Sequence, residues 1–342
     1  MARTNPERYL IVGPAWVGDM VLAQSLFITL LDRHPGCVVD VIAPPWSHPL
    51  LERMPEVRRG IALPVTHGEL ALGKRYAAGR DCRREAYSQA IVIPRSLKAA
   101  LVPFFARIPR RTGYRGEMRY GLINDMRELD KAALPQIAQR YVALALDTDA
   151  MEPPRVPAPR LRTDAANIAR LVSELELPTN AKIVAIMPGA EYGPAKQWPL
   201  EYFAELVRRL SDDGIECWLL GSDKDRASAE EIIGRSSVTA QNLCGRTRLE
   251  DVIDLLARAD VSVTNDSGLM HVAAAVGTPL IALYGSSTPA YTPPLSDRAD
   301  PLYLGLECSP CFKRECPLGH LRCLRDIPAE RVHELVRKRL DG

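Results

Sequence analysis

Residues 262–285, SVTNDSGLMHVAAAVGTPLIALYG, leave this chain few folds to choose from. An apolar β-branched run (Val261, Val263, Thr264) stops abruptly at Asn265-Asp266-Ser267-Gly268. A small-residue helical segment covers 269–276, Gly277-Thr278-Pro279 ends it, and a second apolar run begins at Leu280. Strand, polar turn, helix, strand is a parallel-sheet unit, because parallel neighbours need a crossover and their strands are apolar on both faces. Asn, Asp and Ser are good N-cap residues, and Gly268 lets another group approach the backbone. The first turn of such a helix offers free N–H groups and the positive end of its dipole, a ready place for a phosphate.

The same unit recurs along the chain. Residues 9–13 (YLIVG) read as a buried strand, a tight loop Pro14-Ala15-Trp16-Val17-Gly18-Asp19 follows, and 20–31 carry apolar residues at helical spacing. Pro35-Gly36 ends that helix and 38–43 (VVDVIA) form the next strand. Residues 147–165 hold Pro153, Pro154, Pro157 and Pro159 without apolar periodicity, and read as an interdomain linker. The pattern then restarts with strands at 183–187 and 216–220 and helices at 200–210, 226–234 and 249–258. With 342 residues, the expectation is an α/β protein of two doubly wound domains, 1–160 and 161–342, facing a cleft. The C-terminal helix is the element able to pack back on the N-terminal domain.

Composition narrows the function. The formal net charge of +2 and the 6% aromatic content do not favour nucleic acid. No run approaches the roughly 18 apolar residues that cross a bilayer. The first apolar run is broken at Gly13-Pro14 and Asp19, so it reads as a strand and not a signal peptide. A cytoplasmic protein is expected. Cys37, Cys82, Cys217 and Cys244 are scattered, as reduced thiols would be.

Ligands of such folds bind at the carboxyl ends of the strands. Three loops of the second half therefore converge on one ligand: Gly189 and Lys196 from the first, Ser222, Asp223 and Asp225 from the second, Asp266, Ser267 and Gly268 from the third. A lysine with helix-start N–H groups suits a diphosphate leaving group, and a carboxylate in the middle loop suits ribose hydroxyls. In the first half, Asp19 is either a helix-start charge or a carboxylate aimed into the cleft. The glycines of its loop do not make the dinucleotide pattern GxGxxG. Arg95, Lys98, Arg107, Arg110, Arg111, Arg115 and Arg119 face one acid, Glu117, between 95 and 119. This is either a solvated basic surface or the meeting place for an anionic substrate or acidic membrane, with Phe104 and Phe105 as interfacial or core residues.

GPAWVGDM, PGAEYGPAKQWP, TNDSGLMHVAAAVGTP and LYGSSTPAYTPP together resemble the ADP-heptose:lipopolysaccharide heptosyltransferases of Gram-negative bacteria. RRTGYRGEMRYGLINDMR is similar to the subgroup that adds the second heptose of the inner core. The resemblance implies a GT-B fold, with acceptor on the first domain and nucleotide sugar on the second. It implies inverting transfer from ADP-heptose to a heptose-bearing Kdo2-lipid A core without a catalytic metal, at the cytoplasmic side of the inner membrane. By the same resemblance Asp19 matches the general base and Lys196 the residue that stabilises the diphosphate. Gly18, Gly189, Asp266, Ser267, Gly268, Leu269 and His271 match the donor side, with Ser222 and Asp223 or Asp225 near the ribose. Arg95, Lys98, Arg115 and Arg119 would meet acidic groups of the acceptor. A related heptosyltransferase for another heptose, a nucleotide-sugar epimerase and a non-catalytic nucleotide-binding protein are the alternatives.

Cys308, Cys311, Cys316 and Cys323 form a separate pattern with the spacing of a small zinc knuckle, His320 being a substitute ligand. Since the family needs no metal for chemistry, such a zinc would be structural. Reduced, unligated thiols are the other reading.

Overall fold

The computed structural model describes residues 6–66, 68–147, 153–178 and 180–341. Residues 148–152 of the expected linker lie outside that set. The chain forms two compact units, 1–159 and 160–342.

The first unit alternates strands and helices: β1 (Arg8–Val12), α1 (Val17–Arg33), β2 (Val38–Ala43), α2 (His48–Glu52), β3 (Val57–Ala62), α3 (Leu72–Cys82), β4 (Gln89–Val92), α4 (Leu101–Phe105), β5 (Arg110–Tyr114), β6 (Asp125–Arg127) and α5 (Ile137–Ala143). The strands run parallel in the order β3-β2-β1-β4-β5-β6. Right-handed crossovers place α1 and α3 on opposite faces, since β1 to β2 and β3 to β4 move across the sheet in opposite directions. α5 packs beside α1, and α4 beside α3. Tyr9, Leu10, Ile11, Val41 and Ile91 are fully covered, as strands sandwiched between helices must be.

One charge sits inside this sheet. Asp40, third residue of β2, is 0% exposed. It accepts from Arg58 Nε at 2.8 Å, Arg59 Nε at 3.2 Å and the Tyr87 hydroxyl at 2.5 Å. Burial raises its pKa, but the hydrogen bonds from Arg58 and Tyr87 outweigh that and hold the carboxyl below its ordinary value.

The second unit repeats the plan: α6 (Ala165–Glu174), β7 (Ile183–Met187), α7 (Leu200–Asp212), β8 (Glu216–Leu219), α8 (Arg226–Ser236), β9 (Gln241–Asn242), α9 (Leu249–Arg258), β10 (Val261–Asn265), α10 (Gly268–Val276), β11 (Leu280–Tyr284), β12 (Ala299–Tyr303), α11 (Arg322–Arg325) and α12 (Ala329–Asp341). Its parallel order is β12-β11-β10-β7-β8-β9, the same topology as the first sheet when each is counted from its own first strand. The amphipathic α7 buries Phe203, Leu206, Val207 and Leu210 against it. α12, expected as an element able to return to the N-terminal domain, buries Val332 and Val336 in the core of the second unit beside Trp198 and Phe203.

Candidate active site

Strand order reverses direction between β7 and β10, which is where open parallel sheets form a crevice beyond their carboxyl ends. The loop after β7 carries Lys196, and Asp266 follows the last residue of β10. Lys196 Nζ lies 2.5 Å from Asp266 Oδ2, a contact between residues 70 positions apart. Asp266 is 4% exposed, and the Ser287 hydroxyl donates to the same oxygen. Tyr192 places its ring 5.1 Å from Lys196 Nζ. Asn265 ties the two loops together: its side chain accepts from Trp198 N at 3.0 Å and donates to Pro188 O at 2.7 Å.

α10 begins directly after this pair. Ser267 is its N-cap, yet its hydroxyl does not cap the helix and lies 3.3 Å from Thr264 Oγ1. Gly277, with φ of 83°, ends the helix in the left-handed conformation that glycine adopts without strain. The result is a helix N-terminus beside an ammonium group, suited to a diphosphate. Met270 is buried, Leu269 is half-buried, and His271 lies one turn in. Burial, with a further push from Lys196, lowers His271 to about 4 against a raising influence from Asp266. Its ring is therefore neutral at physiological pH. His271 Nδ1 and Ser286 Oγ are buried with no hydrogen-bond partner among the described residues.

The middle loop resolves an ambiguity. Asp225 Oδ2 accepts from both Ser222 N and Ser222 Oγ at 2.8 Å, a reciprocal cap that closes the turn. A Cβ at Gly189 or Gly221 would push against the Asp225 side chain, so glycine at both lets the carboxylate keep this cap. Asp225 is thus committed to shaping the loop. Asp223 is largely exposed and pairs only loosely with Arg226, at 3.3 Å.

In the first unit the order reverses between β1 and β4. The loop after β1 leads into α1, with Gly18 buried and Asp19 half-buried in the helix's first turn. The loop after β4 carries Arg95 and Lys98, and β5 leads to Arg115. Arg95 is exposed and donates to Arg115 O at 3.1 Å, while Arg115 is exposed and pairs with Glu128 at 3.1 Å. Arg119 corrects an expectation. It is 0% exposed and donates to Pro94 O at 2.7 Å and to Tyr114 O. It holds these loops from beneath and presents no charge to an acceptor. No local sequence pattern brings Ser287 or Tyr192 to this pair, and Asn265 reads in sequence only as part of the helix-start turn. The available signal for Ser287 was its place just beyond β11, the strand beside β10.

Of the two readings of the C-terminal cysteines, the structural zinc finds no support. Among the described residues no three His, Cys, Asp or Glu side chains are arranged to hold a metal ion, and all four C-terminal cysteines are unpaired. Burial and the neighbouring Cys308, Cys316 and Cys311 push Cys323 up to about 11. Cys316 moves the other way: burial raises it, but backbone N–H groups from Leu321, Leu318, Gly319 and His320 outweigh that.

Two six-stranded parallel domains with equivalent strand order, each offering polar side chains at its switch point, make a GT-B-type fold. The chain belongs to glycosyltransferase family 9 (heptosyltransferase), whose family model matches residues 75–322. It is 45% identical over 336 residues to lipopolysaccharide heptosyltransferase 2 of Salmonella typhimurium, covering 96% of this chain and 97% of that one. It is 46% identical over 303 residues to lipooligosaccharide heptosyltransferase 2 of Haemophilus influenzae, covering 85% and 86%. The solved structure of E. coli ADP-heptose LPS heptosyltransferase II superposes with a TM-score of 0.87 at 42% identity, covering 97% of this chain and 98% of that one.

Proposed function

We propose that this protein transfers L-glycero-D-manno-heptose from ADP-heptose to the first heptose of the lipopolysaccharide inner core, with inversion at the anomeric carbon. The observation that carries this reading is the Lys196–Asp266 pair at the start of α10, in a chain 45% identical to such a transferase along nearly its whole length. In this reading the first domain, 1–160, takes the acceptor and the second, 161–342, the nucleotide sugar. The acceptor's lipid anchor would keep the enzyme at the cytoplasmic face of the inner membrane. Among the described residues no helix is long and apolar enough to cross a membrane.

Asp19 takes the proton of the attacking hydroxyl. A carboxylate is a weak base for a sugar alcohol, so its help is concentrated in the transition state, where the hydroxyl has become acidic. Negative charge grows on the departing diphosphate, and Lys196 with the N–H groups of α10 stabilises it. Asp266 and His271 serve the heptose, the neutral ring of His271 being able to donate or accept. Asp223 serves the ribose, and Asp225 keeps its loop in shape. Arg95, Lys98 and Arg115 meet acidic groups of the acceptor core.

The test is transfer from ADP-heptose to a heptose-bearing lipid A core. Asp19→Ala is expected to lower turnover roughly 10²–10⁴-fold while ADP affinity is retained. Near-normal turnover in that variant would remove Asp19 from the mechanism. Release of free heptose epimer without transfer would instead favour an epimerase.

A further inference from the structure

On one face of the first sheet, α3 and α4 meet at Gly79. A Cβ there would sit 2.6 Å from Phe105 Cβ, so glycine permits the close approach. Around this contact lies an aromatic cluster that the proposed chemistry does not use. Tyr76 and Phe105 ring centroids are 5.3 Å apart, and Phe104 and Phe105 5.8 Å. Leu72, Tyr76 and Phe104 are 52%, 47% and 42% exposed. Leu72 and Tyr76 share one face of α3, one turn apart, and Arg80 continues that row. Single exposed apolar residues are ordinary, but a contiguous group with a charged rim marks an interaction surface.

The rim is cationic. Residues 72–84 carry Lys74, Arg80, Arg83 and Arg84 against one acid, Asp81, while Arg75 is buried, and 105–111 carry Arg107, Arg110 and Arg111 with no acid. Asp81, 3.8 Å from Arg80, and Asp125, 3.0 Å from Arg110, offset two of these charges, and Glu85 pairs with Arg58 at 2.8 Å, so Arg83, Arg84, Arg107 and Arg111 still leave the face net positive. The Arg111 guanidinium lies 5.8 Å from the Phe104 ring centroid. Beside the rings is a groove of about 390 Å³ whose lining includes Arg83 and Arg107 with Ala86, Ala106, Ile108 and Pro109. Aromatic and aliphatic tips ringed by arginines match a membrane interface, where apolar groups reach the acyl boundary and cations meet phosphates. An acidic soluble peptide would engage the arginines but gives no reason for three exposed apolar side chains between them.

We infer that the α3–α4 face docks on an anionic phospholipid bilayer, with Leu72, Tyr76 and Phe104 at the interface and the Arg83–Arg107 groove receiving a lipid phosphate. The inference rests on the proposed lipid-linked acceptor for its biological sense, but its test does not. The full-length protein is floated with phosphatidylcholine vesicles, with and without phosphatidylglycerol, at low and high salt. Binding is expected only with the anionic lipid and is expected to weaken with salt. Tyr76→Ser/Phe104→Ser and Arg80→Glu/Arg107→Asn should each lose roughly tenfold or more in vesicle affinity, whereas Arg331→Glu on α12 should lose none. Transfer to a deacylated, water-soluble core oligosaccharide should be unchanged in all three, which also shows that they fold. Equal binding to neutral and anionic vesicles, or patch variants that bind like the parent, would overturn the docking surface. Lipid binding with no transfer by any form would support docking and remove the transferase reading instead.

Discussion

Asp40 in the first unit and Asp266 in the second are buried carboxylates with the same kinds of partner, and the proposed function gives the two opposite meanings. Asp40 accepts from arginines and the Tyr87 hydroxyl; Asp266 accepts from Lys196 and the Ser287 hydroxyl. Asp40 lies within β2, away from the strand's carboxyl end, and two arginines and a tyrosine satisfy it. Asp266 lies one residue past β10, at the switch point and beside an uncapped helix start. Burial and pairing alone therefore do not mark a functional charge. Position along the strand does, because only beyond the carboxyl ends can a ligand reach helix N–H groups and side chains together.

The comparison breaks most sharply on activity. Lys196→Ala is expected to reduce turnover roughly 10²–10³-fold by removing a cation from the leaving diphosphate, measured with saturating donor. Asp40→Asn should leave turnover of the folded enzyme within about twofold of the parent. It should instead cost about 2–3 kcal/mol of stability, since charge-assisted hydrogen bonds are lost while Arg58 and Arg59 keep access to water. In a unit of this size that is a fall of roughly 4–12 °C in Tm, read by calorimetry. A large loss of turnover in Asp40→Asn at unchanged Tm would erase the distinction.

Acid separates the two regions further. Asp40 has a depressed pKa in the folded state, so its contribution is present above its unfolded value of about 3.9 and is lost as pH falls through the lower folded value. His271 also has a depressed pKa, about 4, but it is a base. Between roughly pH 6.5 and 4 the unfolded chain binds a proton there that the folded chain does not, so stability falls with acidification across that window. Denaturant titrations should show His271→Gln flattening the pH 4–6.5 slope, and Asp40→Asn flattening the part below about pH 4. The smallest effect is expected at Ser287. Ser287→Ala removes one hydroxyl from Asp266 and should lower kcat/KM roughly three- to tenfold, with a fall in Tm smaller than that of Asp40→Asn because Lys196 still holds the same oxygen. A Tm loss as large as that of Asp40→Asn would make Ser287 a structural residue.

Much of this was legible in the chain itself. The apolar runs at 9–13, 183–187 and 261–264 announced buried parallel strands, and Asn265-Asp266-Ser267-Gly268 announced a helix start between two of them. β5 was not legible. Its sequence, RRTGY, reads as part of a basic loop, and it holds its place because Arg111 donates to Leu122 O and Ile108 O while Thr112 and Tyr114 are buried. The arginines of that segment also look alike in sequence, yet Arg119 lies inside and Arg95 and Arg115 outside.

The sequence by itself determined the alternation of strands and helices, the capping turns and the motifs that resemble one family, because periodicity and capping act over a few residues. Tertiary structure alone decided which charges meet. Lys196 and Asp266, with Ser287 just beyond the next strand, come together through crossovers that no local pattern specifies. The same is true of Asp225 as a cap and Asp223 as the exposed carboxylate: the two residues are chemically identical, and only the packing of Gly189 and Gly221 against one of them tells them apart.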